Sequence, residues 1–580
     1  MLDTGTGSQP HGLSGSRRRL GRRFAGASAT ACAVVVVWAV LLAPDQAAPL
    51  RPFALAALPV EGLIFVVMVV ILPDKGARFV AATYAVALPL VAILKVLDVG
   101  SDAVLARPFD PLTDLPYLPS AADAVSRSTG APLLLVLAAS AVALTVLVLL
   151  VIVSTIRVAR AARRHRRRAA LAAVAAGAAW ALLAGVGAAP GPPTAAAAGT
   201  ANLVARRAVR LAREWSADRK FAAATGSDSY ARTAGGDLLA GLRGKDVLIV
   251  FVESYGRVAL DDPDIARHVV PALDAAASPL GAAGFQARSA FLTSPTFGGL
   301  SWLAHSTLQS GLWVDTQTRY DALLASKRLT LGQAFGRAGW RTVCVIPSDT
   351  RPWTPGTAFY HWGTIYDARN LGYVGPRYGY ARIPDQYTLA QLQRLELSRK
   401  DRPPVMAEVD LASSHAPWAS PPDLVAWDAV GNGSIFERGP AAAPTPRAIP
   451  AGASGVGDGG GDMESGSTTS NTQTVGPDIR TAYARTIAYS LQALYSFVGT
   501  YRDDNLVLVV LGDHQPGPSV SGSGAGHDVP ITIVSADPKV MRRMHSWGWD
   551  VGLRPGAGAP VWPMDSFRDR FLTAYASSTG

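Results

Sequence analysis

The sequence predicts two fold classes joined end to end: an α-helical membrane bundle of five spans, then an α/β sandwich around a mainly parallel sheet. Three observations point there. Apolar residues make up 49% of the 580-residue chain and crowd into residues 1–190. Basic residues recur at alternate ends of the apolar stretches. Beyond Lys245, short Val/Ile/Leu runs alternate with helical segments. The apolar content excludes a disordered regulator. Two distant cysteines, Cys32 and Cys344, exclude a disulfide scaffold.

Five stretches approach the roughly 20 apolar residues that cross a bilayer: 24–44, 53–73, 78–97, 132–156 and 169–189. The first starts after an arginine cluster like a secretory signal, but four further spans make it a retained signal-anchor. Arg17, Arg18, Arg19, Arg22 and Arg23 precede span one, Lys75 and Arg78 lie between spans two and three, and seven arginines fill Arg157–Arg168. The loop 98–130 is acidic instead. Positive-inside asymmetry therefore puts the N-terminus in the cytoplasm and everything after residue 190 outside, in a multi-pass cell-membrane protein. Residues 1–190 hold 18 basic and 9 acidic side chains, whereas the remainder carries a net charge of only +2. The overall +11 thus specifies topology, and a nucleic-acid partner is excluded.

Residues 191–244 form a connector. Within it Val204, Ala208, Leu211 and Trp215 share a helical face, while Arg206, Arg207, Arg210 and Arg213 mostly lie elsewhere. Either this helix lies on the outer leaflet or it packs on the next domain. Residues 245–580 read as the exported domain. The runs 247–252, 342–346, 405–411, 506–512 and 529–534 are nearly continuous Val/Ile/Leu, as in strands buried on both faces. Helix candidates fall at 301–310, 329–338, 384–398 and 478–502. Residues 430–477 are rich in Gly, Ser, Thr and Pro and read as an insertion outside the core.

Reactive groups in open α/β sheets gather beyond the carboxyl ends of the strands. There this sequence places Glu253, Asp513 with His514, and His415, and His527 stands just ahead of the last run. Carboxylates mixed with imidazoles suit Zn²⁺ or Mn²⁺. A nucleophile would complete the set. Thr296 precedes a helix starting near Ser301, where the helix dipole stabilises anionic charge; the plainer reading is that Thr296 caps the turn. Arg351, Trp353 and His361, and separately Arg257, are candidates for a substrate headgroup pocket, although a packed aromatic loop explains residues 349–387 equally well. His268, His305 and His545 lack such context and read as structural or solvated.

The segments VLIVFVESYG, SPTFGGLSWLAHSTLQSG, SSHAPW, LGDHQP and HDVPITI resemble the alkaline phosphatase/sulfatase superfamily. They look most like its membrane-anchored branch of lipoteichoic acid synthases and phosphoethanolamine transferases. That resemblance implies an alkaline phosphatase/sulfatase-like fold and one divalent metal, Mn²⁺ or Zn²⁺ with Mg²⁺ also suitable. Glu253, Thr296, Asp513 and His514 would hold it, with Thr296 as nucleophile and His415 and His527 as substrate contacts. It also implies a membrane phospholipid headgroup donor, a phosphothreonine intermediate, and an envelope lipid or glycan acceptor. Two departures stand out. Relatives usually carry a serine soon after the nucleophile, whereas here Gly298 begins a Gly-Gly pair and Ser301 follows; Ser294 is the alternative hydroxyl. The Cys-x-Pro-Ser-Arg signature of formylglycine sulfatases is absent, which argues against sulfate-ester hydrolysis by that route. A hydrolase of the same superfamily and a catalytically silent envelope-binding protein remain the alternatives.

Overall fold

A computed structural model of the chain describes residues 13–44, 58–105, 108–111, 114–115, 132–186, 196–197, 199–378, 380–436, 477–522 and 524–577. They fall into two compact units, divided between Arg213 and Glu214 in the connector. Most of the insertion, 437–476, lies outside the described residues.

The first unit contains α1 (Leu13–Leu42), α2 (Val60–Ile71), α3 (Asp74–Leu105), α4 (Leu133–Arg164), α5 (Arg166–Val186) and the first half of α6 (Gly199–Thr225). Among the described residues three helices are long and apolar enough to cross a membrane, over Ala25–Leu42, Asp74–Asp102 and Leu133–Arg164. These three fall within the first, third and fourth of the five expected spans, and parts of the other two, 53–57 and 187–189, lie outside the described residues. The second stretch is helical for only 12 residues, and the fifth is a 21-residue helix that opens on three arginines. Val37, Leu41, Phe65, Val69, Leu88, Val151 and Val158 pack at the centre. Leu134, Leu135 and Val146 face outward, as lipid-exposed positions should. Several of the polar groups inside are paired. Lys95 Nζ donates to the carbonyls of Val40 and Leu41, at 3.0 Å each, and Arg207 pairs with the buried Asp98. Arg163 donates to the carbonyls of Val69 and Leu72, at 3.1 Å each, near the C-terminal end of α2.

The second unit is built on strands β1 (Asp246–Val252), β2 (Gln286–Thr293), β3 (Arg341–Ile346), β4 (Thr364–Asp367), β5 (Val405–Leu411), β6 (Leu506–Gly512), β7 (Asp528–Ser535), β8 (Asp550–Val551) and β9 (Val561–Pro563). They form one sheet in the order β8-β2-β7-β6-β1-β5-β3-β4, with β9 beside β2. The sheet, expected to be mainly parallel, is a mixed one. From β6 to β4 all neighbours are parallel, but β7 runs antiparallel to both β6 and β2. The sequence runs show that strands are buried but carry no record of their direction.

All seven residues of β1 are buried, so its side chains feed two cores. Val247, Ile249 and Phe251 meet helices α8 (Ser301–Ser310), α9 (Leu331–Arg337) and α12 (Ser566–Tyr575). Leu248, Val250 and Val252 meet α7 (Pro263–Ala282), α10 (Asp385–Leu392) and α11 (Pro477–Tyr501). Each fully buried aliphatic side chain contributes roughly 1.5–3 kcal/mol. The central register positions the chemistry. Val252 pairs with Leu411 on one side and with Gly512 on the other. Glu253 and Asp513 therefore leave adjacent parallel strands at the same level of the same sheet edge.

Candidate functional site

The fold brings Glu253, Asp513 and His514 together, with one ligand atom from each lying within 4.8 Å of the others. Asp513 is fully buried. Its Oδ1 accepts from the backbone N–H groups of Ser254, at 2.7 Å, and His514, at 2.8 Å. Ser254, which donates the first of these, stands at φ 57°, a left-handed conformation that non-glycine residues adopt only when the surroundings enforce it. His514 Nδ1 faces the carbonyl of Gln515 at 2.8 Å. A carbonyl only accepts, so Nδ1 carries the hydrogen and Nε2 turns toward the carboxylates, 3.3 Å from Glu253 Oε1 and 3.5 Å from Asp513 Oδ2.

The charges are tightly coupled. Burial pushes the Asp513 carboxyl up to about 6, with the Glu253 charge adding to the effect. Burial also works to raise Glu253, but the hydrogen bond to His514 and the charges of His415 and His514 hold it well below the usual carboxylate range. His514 is raised to about 9, because the two carboxylates outweigh its burial. Asp513 Oδ2 is buried without a hydrogen-bond partner. An orphaned carboxylate oxygen, an inward-facing imidazole nitrogen and a second carboxylate together fit a divalent metal.

The hydroxyl that reaches this cluster belongs to Ser301. Its Oγ donates to Glu253 Oε2 at 3.0 Å and lies 3.2 Å from His514 Nε2. Ser301 is the first residue of the ten-residue α8, in the positive field of its N-terminus. The chain enters that helix through three successive positive φ angles: Gly298 at 71°, Gly299 at 155° and Leu300 at 66°. The Gly-Gly pair is thus the turn that delivers Ser301. Thr296 lies one contact away. Its Oγ1 is 3.3 Å from Ser294 Oγ and makes no hydrogen bond to Glu253, Asp513 or His514. Ser294 in turn donates to the Asp513 carbonyl at 2.5 Å and braces the loop.

Other expected residues divide into two groups. His415 stacks on Tyr380 with ring centres 3.6 Å apart, and burial lowers its pKa although the Glu253 charge opposes this. His527 Nδ1 is 3.2 Å from the Ser294 carbonyl, and its ring is 5.3 Å from Phe297. Both therefore belong to the loops around the cluster. Arg257 is instead committed to Asp261 at 2.7 Å and Asp528 at 3.3 Å, over the ring of Phe291. Arg351 and His361 are exposed, and Trp353 packs against Tyr360. All three lie on the β3–β4 connection, and β5 separates β3 from β1.

Sequence reasoning missed three groups. His305 Nδ1 lies 3.3 Å from Glu408 Oε1 and 3.6 Å from Asp410 Oδ1. The signal was present: two carboxylates spaced by two inside the apolar run VMAEVDL, and a histidine four residues after Ser301.

Three solved structures are similar in part. The lipoteichoic acid synthase LtaP from Listeria monocytogenes is 13% identical, over 58% of this chain and 74% of its own, with a TM-score of 0.35. The Streptococcus pyogenes phosphoglycerol transferase GacH, in complex with sn-glycerol-1-phosphate, is 14% identical over 54% and 74%, with a TM-score of 0.33. The C-terminal periplasmic domain of EptC from Escherichia coli, in complex with Zn, is 12% identical over 58% and 83%, with a TM-score of 0.36. No curated protein sequence matches. The sulfatase family model matches residues 245–537, which is half of the chain and includes Glu253, Ser301, Asp513 and His514, and on that match this protein belongs to the sulfatase family.

Proposed function

We propose that this protein is a membrane-anchored, metal-dependent enzyme that transfers a phospho-headgroup from a membrane lipid to an acceptor in the cell envelope, with Ser301 as nucleophile. The observation that carries this reading is the contact of Ser301 Oγ with Glu253 and His514 at the head of α8. Glu253, Asp513, His514 and Ser301 would hold the metal, which supplies Lewis-acid stabilisation of the serine alkoxide and of the phosphoryl oxygens.

Ser301 takes the role first expected of Thr296. Its Oγ would form the bond to phosphorus while the bond to the diacylglycerol oxygen breaks, leaving diacylglycerol and a phosphoserine. An acceptor hydroxyl would then displace Ser301 from phosphorus. The proton lost by the Ser301 hydroxyl would pass to the leaving diacylglycerol oxygen, and the acceptor's proton would return to Ser301 Oγ in the second step; burial keeps His415 neutral, which suits it to accept and relay such a proton. Three membrane-capable helices keep the enzyme beside lipid, and the charge asymmetry of residues 1–190 supports an extracytoplasmic site. A serine at this place, with no Cys-x-Pro-Ser-Arg signature in the sequence, favours phosphoryl over formylglycine-dependent sulfate chemistry.

The test uses the full chain in vesicles of headgroup-labelled phosphatidylglycerol or phosphatidylethanolamine with Mn²⁺. Diacylglycerol release with label passing to an envelope glycan or lipid is the expected result. Label appearing only as free headgroup phosphate makes the protein a hydrolase. Turnover unchanged in Ser301→Ala overturns the nucleophile.

A further inference from the structure

The sheet-facing side of α8 carries more than the nucleophile. Ser301, His305 and Gln309 follow at intervals of four, so they stack along one helix face. Ser301 meets the first cluster. His305 meets Glu408 and Asp410, which alternate on β5 and so project to the same side of the sheet. Gln309 Nε2 bonds the Glu408 carboxylate, while Gln309 Oε1 is fixed by the N–H of Gly332 at 3.0 Å. The ring of Phe251 lies flat on His305 with centres 3.7 Å apart, which fixes the imidazole plane.

One imidazole nitrogen and two carboxylate oxygens thus converge within 4.8 Å of one another, separately from Glu253, Asp513 and His514. Asp410 Oδ1 is buried and has no hydrogen-bond partner. A strand otherwise made of Val, Met, Ala and Leu thus turns a buried Glu408 and a partly exposed Asp410 toward His305.

We propose that His305, Glu408 and Asp410 hold a second divalent cation. One nitrogen and two oxygens suit Zn²⁺ or Mn²⁺, and Gln309 and Phe251 orient the ligands from behind. The ion tethers the second turn of α8 to β5 and so fixes the helix that presents Ser301.

The experiment is a metal count. Full-length protein in detergent is stripped with EDTA, equilibrated with Mn²⁺ alone, freed of excess ion and analysed by plasma mass spectrometry. Wild type is expected to hold two ions per chain, and His305→Ala and Asp410→Asn one each. Glu253→Gln, which damages only the first site, is expected to keep one. A wild-type count of one overturns the proposal whatever the variants do. So does a count of two in both His305→Ala and Asp410→Asn. Circular dichroism identifies any variant that has not folded, and the wild-type and Glu253→Gln counts then decide.

Discussion

At the scale of single residues, the site depends on one hydroxyl and the turn that aims it. Ser301→Ala removes the proposed nucleophile but leaves Glu253, Asp513 and His514, so turnover should fall by at least about 10³-fold while Mn²⁺ still binds. Thr296→Val, which loses only a contact to Ser294, should stay within a few-fold of wild type in the same lipid assay. A different residue governs pH. Burial raises the Asp385 carboxyl to about 6 from its ordinary 3.8, despite hydrogen bonds from Ser490 and Ser413. A raised folded-state pKa contributes stability that is full below pH 3.8 and is lost as pH rises through 6. The gap is worth ~3 kcal/mol. Asp385→Asn should therefore melt with a smaller decline between pH 4 and pH 7 than wild type, as followed by scanning calorimetry.

At the scale of elements, α9 is only seven residues long and relies on its start. Thr330 Oγ1 accepts from the Gln333 N–H at 3.2 Å, and Gln333 Oε1 accepts from the Thr330 N–H at 3.3 Å. Thr330→Ala should cost about 1 kcal/mol, read as a lower denaturation midpoint at unchanged slope. Element identity was legible in the sequence wherever burial imposed a period. The five apolar runs are strands β1, β3, β5, β6 and β7, and 301–310 is α8. Their directions were not legible, because a fully buried strand has the same composition either way. Glu253, Asp513 and His514 were readable as residues ending strands. Ser301 was harder to assign, because three successive positive φ angles displace the hydroxyl that reaches them by five positions from Thr296. His305, Glu408 and Asp410 were hidden by the apolar residues around them.

At the scale of the molecule, the two units have separate cores. Residues 214–577 bury apolar side chains on both faces of their sheet and bury Arg568 against Asp228, at 2.9 and 3.1 Å. A fragment beginning at Glu214 should therefore melt cooperatively in water, and Asp228→Asn in it should cost roughly 1.5–3 kcal/mol by removing one charged partner of a buried guanidinium that keeps Asp569 at 2.7 Å. The alignment of Val252 with Leu411 and Gly512 has a consequence of another kind. Losing one codon inside β1, β5 or β6 moves everything downstream by about 3.3 Å and turns it to the other side of the sheet. Many point changes in those strands only loosen the packing, whereas one missing residue dismantles the chemistry, because its parts are located by counting along the chain.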